Sequence, residues 1–370
     1  MFIDFVKLYA GAKIVAAGHG HQIYDAGVQS QWMNDVVSPS HYDAAKYIQY
    51  PPYDFALATP LTVLPLISSY AVWTIATMLL GLAAMVYLRG VSGHSLSLIG
   101  MGTLALLYVG SLFSFNSIIL GQTAWLMLAI VCIFFAAMLK KREFLCGLTI
   151  VASTIKPQLL LLLAPPLLVR KMWRSVALAM VLEVVLLALA AGTVGWENVV
   201  LYPQILAHAE SDLYGRDNER MVSIRGLTSA LFGGSAGFVI SLGSVAIALA
   251  LIIWFWRQAD DRLSQFRAIS LSVLIFLILS PHSFLYDCLL LAVPTILLVP
   301  ETSLSGAFAQ RPLSKKSRSI LLMFGPSLVW LPYMCLHPEV WASRFLLATN
   351  IAVFALWLKR DALTATDSGG

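Results

Sequence analysis

The sequence predicts an all-α, polytopic integral membrane protein, and three observations predict it. Of 370 residues, 59% are hydrophobic and only 12% charged, with a mean hydropathy of +0.80; a soluble domain is about a quarter charged. Apolar runs close to the roughly 20 residues of a spanning helix recur along the whole chain. The few charges sort into two sets that alternate between successive runs. One set is short and basic: Arg89, Lys140-Lys141-Arg142, Arg170 to Arg174, Arg257/Arg262/Arg267, Arg311 to Arg318, and Lys359-Arg360. The other is acidic and aromatic: 1–54, 195–225, Ser280–Asp287 and 337–344. The basic set holds 16 of the 24 Lys and Arg, and the acidic set 12 of the 19 Asp and Glu. Short basic loops stay cytoplasmic, so the acidic loops are expected to face outward from an inner (plasma) membrane.

Taken in order, residues 4–16 place Phe5, Leu8, Ala12 and Val15 at three- and four-residue spacing, which predicts a helix lying in the membrane interface. Residues 50–68 open Tyr50-Pro51-Pro52-Tyr53 and contain Pro60 and Pro65; they are too broken to span and read as a loop leading into a short interfacial helix. Nine runs of spanning character follow, at 69–88, 96–113, 122–139, 175–194, 236–256, 266–281, 284–300, 319–336 and 344–358. The stretch 144–169 is flanked by basic residues at both ends and interrupted by Lys156-Pro157. Proline removes a helix hydrogen bond and disfavours helix at the residue before it, so a hairpin of two short helices is expected there. The chain thus divides into an outer region with interfacial helices (1–68), a transmembrane helical domain (69–360) and a disordered cytoplasmic tail (361–370). Nine crossings from outside end inside at Lys359-Arg360, which places all six basic clusters in the cytoplasm; the outside start then calls either for export of the amino terminus by a later helix or, the favoured reading, for a further helix upstream of Asp4.

The net charge of +5 is spread over separate loops rather than gathered in one patch, which argues against nucleic acid and for anchoring on membrane lipid. Cys132, Cys146, Cys288 and Cys335 lie in apolar runs without metal-like spacing and read as packing residues. No Asp-x-Asp occurs in an outer loop and no glycine-rich loop follows a strand, so neither a metal nor another cofactor is called for.

Four polar groups stand out against this background. Asp4 opens Asp4-Phe5-Val6-Lys7-Leu8-Tyr9, ahead of Gly18-His19-Gly20 and Tyr24-Asp25. Gly121-Gln122 stands at the outer start of a helix, where Gln122 either caps or functions. Lys156 is a charge within an apolar hairpin, either functional or snorkelling to the interface. Ser280-Pro281-His282-Ser283-Phe284-Leu285-Tyr286-Asp287 is a polar turn between two apolar runs.

Their order carries more than any one of them. The succession Asp4-Phe5 with Tyr9, Gly20 with Tyr24-Asp25, Tyr50-Pro51-Pro52, Pro60-Leu61 to Leu64-Pro65, Gly121-Gln122, Lys156-Pro157-Gln158, and Ser280-Pro281-His282 with Tyr286-Asp287 resembles glycosyltransferase family 87, over about residues 4–290. That resemblance implies a fold of the C-type glycosyltransferase superfamily. It implies transfer of a hexose, typically mannose, from a polyprenyl-phosphate sugar to a glycolipid or polysaccharide acceptor of the cell envelope, on the extracytoplasmic face. It implies Asp4 as general base; the leaving phosphate then needs positive charge, which Lys156, Arg216, Arg220, Arg225 and His282 of the outer loops and hairpin could supply, His282 first and Arg225 next, with Gln122, Tyr50, Tyr286 and Asp287 also in substrate binding. A polytopic transporter or lipid flippase accounts equally for the hydrophobicity, Lys156 and the broken hairpin, though not for long polar loops on one face only. An inactive, truncated relative is the remaining alternative.

Overall fold

The computed structural model describes residues 2–41, 50–93, 98–208, 220–298 and 348–352, and all regular structure among them is helical. Helix α1 (Ile3–Ala16) is followed by α2 (Ala26–Val37), begun by Asp25, whose carboxylate accepts from Val28 N at 2.9 Å. Helix α3 (Pro52–Ala58) opens on proline, where the missing N–H costs nothing, and a 3-10 turn at Thr59–Val63 leads into α4 (Leu66–Ser92). Then come α5 (Leu98–Val109), α6 (Leu112–Leu120), α7 (Ala124–Leu139) and α8 (Glu143–Ser153). A 3-10 turn at Pro157–Leu159 separates α8 from α9 (Leu160–Val169), and α10 (Trp173–Val194) and α11 (Trp196–His208) follow. Past the next segment stand α12 (Ile224–Phe232), α13 (Gly234–Arg257) and α14 (Arg262–Leu279), then a 3-10 stretch Leu285–Leu291 and α15 (Ala292–Leu298).

Four of these are long and apolar enough to cross a membrane: α4, α10, Gly237–Arg257 of α13, and α14. The pair α5 and α6, bent by 50°, makes a fifth if it is one span. Run 122–139 forms the shorter α7, and run 284–300 forms the short 3-10 and helical stretch through α15. Run 319–336 lies outside the described residues, as does most of 344–358. Four to five spans among the described residues therefore stand where nine were expected across the chain. The chain is a helical membrane protein. Its lipid face is legible in α10, of whose most apolar window only 11% is buried, against 67% for α14. Trp173 and Trp196, both exposed, bracket α10 as an aromatic belt does.

The basic clusters gather at one end of the bundle. Arg142 donates to Tyr87 Oη at 3.3 Å, Lys140 lies over the same ring, Arg170 donates to Ala259 O and Arg262 to Val91 O. These arginines staple helix ends together in addition to any contact with lipid headgroups. Asp261 caps α14 at this end, accepting from Leu263 N and Ser264 N. Helices α8 and α9 both have their basic flanks here, so Lys156 lies at the far tip of the expected broken hairpin. An 11-residue helix rises about 16 Å, half of a bilayer's apolar core, so α8 is too short to span. The two arms pack against different neighbours, α8 on α7 and α10, α9 on α13.

Most of helix α1 is covered by protein rather than leaving one face exposed. Phe5 to Ala12 and Ile14 are all buried, because Val6, Ala10 and Ile14 extend the apolar surface around the helix and α2, α3 and the Thr59–Val63 turn cover it. Within 195–225, which reads as loop, the chain forms α11 despite Pro203. Cys132, Cys146 and Cys288 are buried and unpaired, and Cys335 lies outside the described residues.

Candidate active site

The burial of α1 is what fixes Asp4. Just before the helix, Phe2 N donates to Ile119 O at 2.5 Å and the Phe2 ring stacks on Tyr70 at 4.5 Å. Tyr70 in turn donates to Ile118 O. The link between α6 and α7 passes so close that a Cβ on Gly121 would stand 2.6 Å from Phe5 Cβ, and its φ of +72° is one that side chains rarely adopt. Glycine is therefore required at 121, and the next residue is delivered to the first turn of α1. Gln122 Nε2 donates to Asp4 Oδ2 at 2.5 Å. On the other side Lys7 Nζ lies 3.4 Å from Asp4 Oδ1. Tyr50 Oη donates to the Asp4 backbone carbonyl at 3.0 Å, and Tyr24 Oη holds Tyr50 O at 2.8 Å. Asp4, Gln122 and Tyr50, three residues singled out from widely separated motifs, thus meet. Gln122 bonds through its side chain to Asp4.

A second group forms at the hairpin tip. Lys156 Nζ pairs with Asp287 Oδ1 at 3.1 Å and sits 4.5 Å over the Tyr286 ring. Asp287 is buried and its Oδ2 accepts from Phe284 N at 2.9 Å. Lys156 therefore does not snorkel. The rings continue the line: Tyr286 stacks on Phe284 at 5.7 Å, and Phe284 meets the His282 ring edge-on at 4.9 Å. The same turn receives Arg225, whose Nη1 donates to Pro281 O at 2.9 Å, while Val222 N donates to Ser283 O at 2.8 Å. The turn Ser280–Asp287 thus gathers Lys156 on one flank and Arg225 on the other. Helix α6, which leads into Gln122, packs on the 3-10 stretch that carries Tyr286 and Asp287. Tyr53, three residues beyond Tyr50, donates to Thr154 O beside the hairpin tip at 3.0 Å. The elements bearing both groups are therefore packed together, away from the end that holds the basic clusters.

Three residues that sequence reasoning passed over belong to this region. Lys7, one helical turn after Asp4, is buried; its spacing from the acid was the available signal. Asp54 is buried within α3 with neither carboxylate oxygen hydrogen-bonded, and desolvation pushes its carboxyl well above the usual aspartate range. Glu183 is a carboxyl at the centre of the apolar run 175–194, and a charge in mid-span is itself a marker of function. Arg216 lies outside the described residues. Among the described residues no three His, Cys, Asp or Glu side chains are grouped to hold a metal ion.

The model of glycosyltransferase family 87 matches residues 47–281, well over half of the chain. The matched segment carries Tyr50, Gln122, Lys156 and Arg225; Asp4 precedes it and His282, Tyr286 and Asp287 follow it. No curated protein and no solved structure is similar enough to the chain to match it.

Proposed function

We propose that this chain, which belongs to glycosyltransferase family 87, moves a hexose, mannose in the first instance, from a polyprenyl-phosphate donor to an acceptor hydroxyl on the extracytoplasmic face of the plasma membrane. Membership of the family makes it a membrane glycosyltransferase. The observation that carries the finer reading is the convergence on Asp4: an amide from Gln122 holds one carboxylate oxygen at 2.5 Å, while the other oxygen's partner among the described residues stands at 3.4 Å. Such a carboxylate is oriented by its tight partner and keeps one oxygen able to receive a proton.

In this reading Asp4 Oδ1 takes the proton of the acceptor hydroxyl as that oxygen attacks the anomeric carbon. The bond from that carbon to the phosphate oxygen breaks, and its electron pair leaves on the phosphate. Phosphate is a competent leaving group without a second carboxylic acid, unlike the alcohol expelled by glycoside hydrolases. It needs donors placed where negative charge grows. His282 and Arg225, on either side of Pro281, are the donors of first choice. Lys156 reaches the site already neutralised by Asp287, so its part is to fix the turn that carries them. The acceptor is a glycolipid or polysaccharide hydroxyl, and the prenyl tail stays in lipid between helices, where its burial holds the donor without accelerating chemistry.

Asp4→Asn tests this directly. It keeps size and the Gln122 contact but removes the proton acceptor, so transfer from polyprenyl-phosphate mannose should fall by about a hundredfold or more with donor binding retained. A variant that transfers sugar at the parent rate would show that Asp4 is not the base.

A further inference from the structure

The two partners of Asp4 are unequal. Gln122 Nε2 approaches Oδ2 at 2.5 Å, a close contact for an N–H donor, whereas Lys7 stands 3.4 Å from Oδ1, beyond the usual hydrogen-bond range. Lys7 is nonetheless buried, its side chain 11% exposed against 23% for Asp4. A buried ammonium needs a negative partner at every stage, because an uncompensated buried charge is strongly destabilising. Proton transfer to Oδ1 turns Asp4 into a neutral acid and removes the partner that Lys7 has in the resting structure. In the same step the phosphate diester becomes a monoester and gains a negative charge.

We propose that Lys7 changes partner during transfer, leaving Asp4 Oδ1 as that oxygen takes the acceptor's proton and turning to the phosphate oxygens of the departing polyprenyl phosphate. This rests on the reading of Asp4 as base and adds a residue to it. The acceptor O–H proton goes to Asp4, the new bond joins the acceptor oxygen to the anomeric carbon, and the electron pair of the broken bond goes to the phosphate. Lys7 moves no proton; it follows the negative charge from carboxylate to phosphate. The interaction with phosphate is absent in the ground state, so it lowers the barrier rather than tightening donor binding.

A binding cycle on the product tests the exchange without turnover. Asp4→Asn mimics the neutral acid and releases Lys7, so it should bind polyprenyl phosphate in detergent micelles about tenfold tighter than the parent. Lys7→Met combined with Asp4→Asn should lose that gain, because the coupling lies between the two side chains. Lys7→Gln serves as the second variant, since its amide can still reach Asp4 without carrying charge, and it should abolish the gain equally. In turnover, Lys7→Met and Lys7→Gln should lower kcat roughly a hundredfold at nearly unchanged donor KM, with Lys7→Arg recovering most of the loss. An unchanged product affinity in Asp4→Asn, or a gain that survives without Lys7, overturns the exchange. Full turnover in Asp4→Asn instead removes the base, whatever the binding cycle gives.

Discussion

Lys156 and Asp287 are 131 residues apart in sequence and 3.1 Å apart in the structure. The pair closes the hairpin tip onto the turn that follows α14, with Asp287 only 1% exposed and the Lys156 side chain 13%. Removing one partner leaves the other charged and buried, which costs about 3–5 kcal/mol, whereas removing both can be nearly neutral. Lys156→Met should therefore lower the unfolding temperature in detergent and take activity with it, and Asp287→Leu in the Lys156→Met background should restore much of the stability. A Lys156→Met protein as stable and active as the parent would mean that the pair does not hold the turn.

Gln122 should act through orientation. Its hydrogen bond to a charged oxygen is of a kind worth about 1.5–3 kcal/mol, so Gln122→Ala should slow transfer by roughly tenfold to a hundredfold with little loss of fold. Gly121→Ala tests the same geometry from the backbone. Its methyl would meet Phe5 at a φ of +72°, so α1 must shift and carry Asp4 with it. Assays of transfer alongside thermal unfolding separate the two effects: equal rates in Gln122→Ala and the parent would show that Asp4 needs no second partner.

The sequence already carried much of this site, because its pieces are local. Lys156-Pro157 broke the helix where the proline rules required, and Ser280–Asp287 was polar where its neighbours were apolar. What brought Asp4, Gln122 and Tyr50 to one carboxylate was tertiary packing of α1 against the α6–α7 link, which periodicity within a single helix cannot report. The same packing explains why α1 reads as interfacial yet is buried. Its residues are apolar at two spacings at once, and only the presence of α2 and α3 decides which faces are covered. Asp54 was invisible for a related reason: in Tyr50-Pro51-Pro52-Tyr53-Asp54 it looks like a solvated loop acid, and its burial follows from α3 packing on α1 and α10.

Asp54 sets an expectation for pH. Its carboxyl is held well above the usual range by desolvation, so between that range and the raised value the folded protein keeps a proton that the unfolded chain gives up. Stability then falls as pH rises through this window, because the folded state binds more protons. Asp54→Asn, neutral at every pH, should flatten that part of the profile and leave the protein at least as stable as the parent at neutral pH. Thermal unfolding of both proteins from acid to neutral pH decides it: parallel curves would mean that Asp54 ionises alike in both states.

His282 offers the cleanest test of where the donor phosphate sits, because main-chain bonds hold its turn. Pro281 O accepts from Arg225, Ser283 O accepts from Val222 N, and Ser280 Oγ bonds both the N–H and the carbonyl of His282. The imidazole touches the line of rings that runs through Phe284 to Tyr286 and Lys156. His282→Gln leaves every one of those backbone bonds in place, so unfolding should change little. If the ring supplies a donor to the leaving phosphate, turnover on polyprenyl-phosphate mannose should fall by about 2–4 kcal/mol in the barrier, the loss seen when one donor to a developing oxyanion is removed. Arg225→Lys keeps the charge but not the planar fork that reaches Pro281 O, so it should cost both rate and stability. A His282→Gln protein with the parent's turnover would move the phosphate off this turn's imidazole and leave Arg225 as its principal partner.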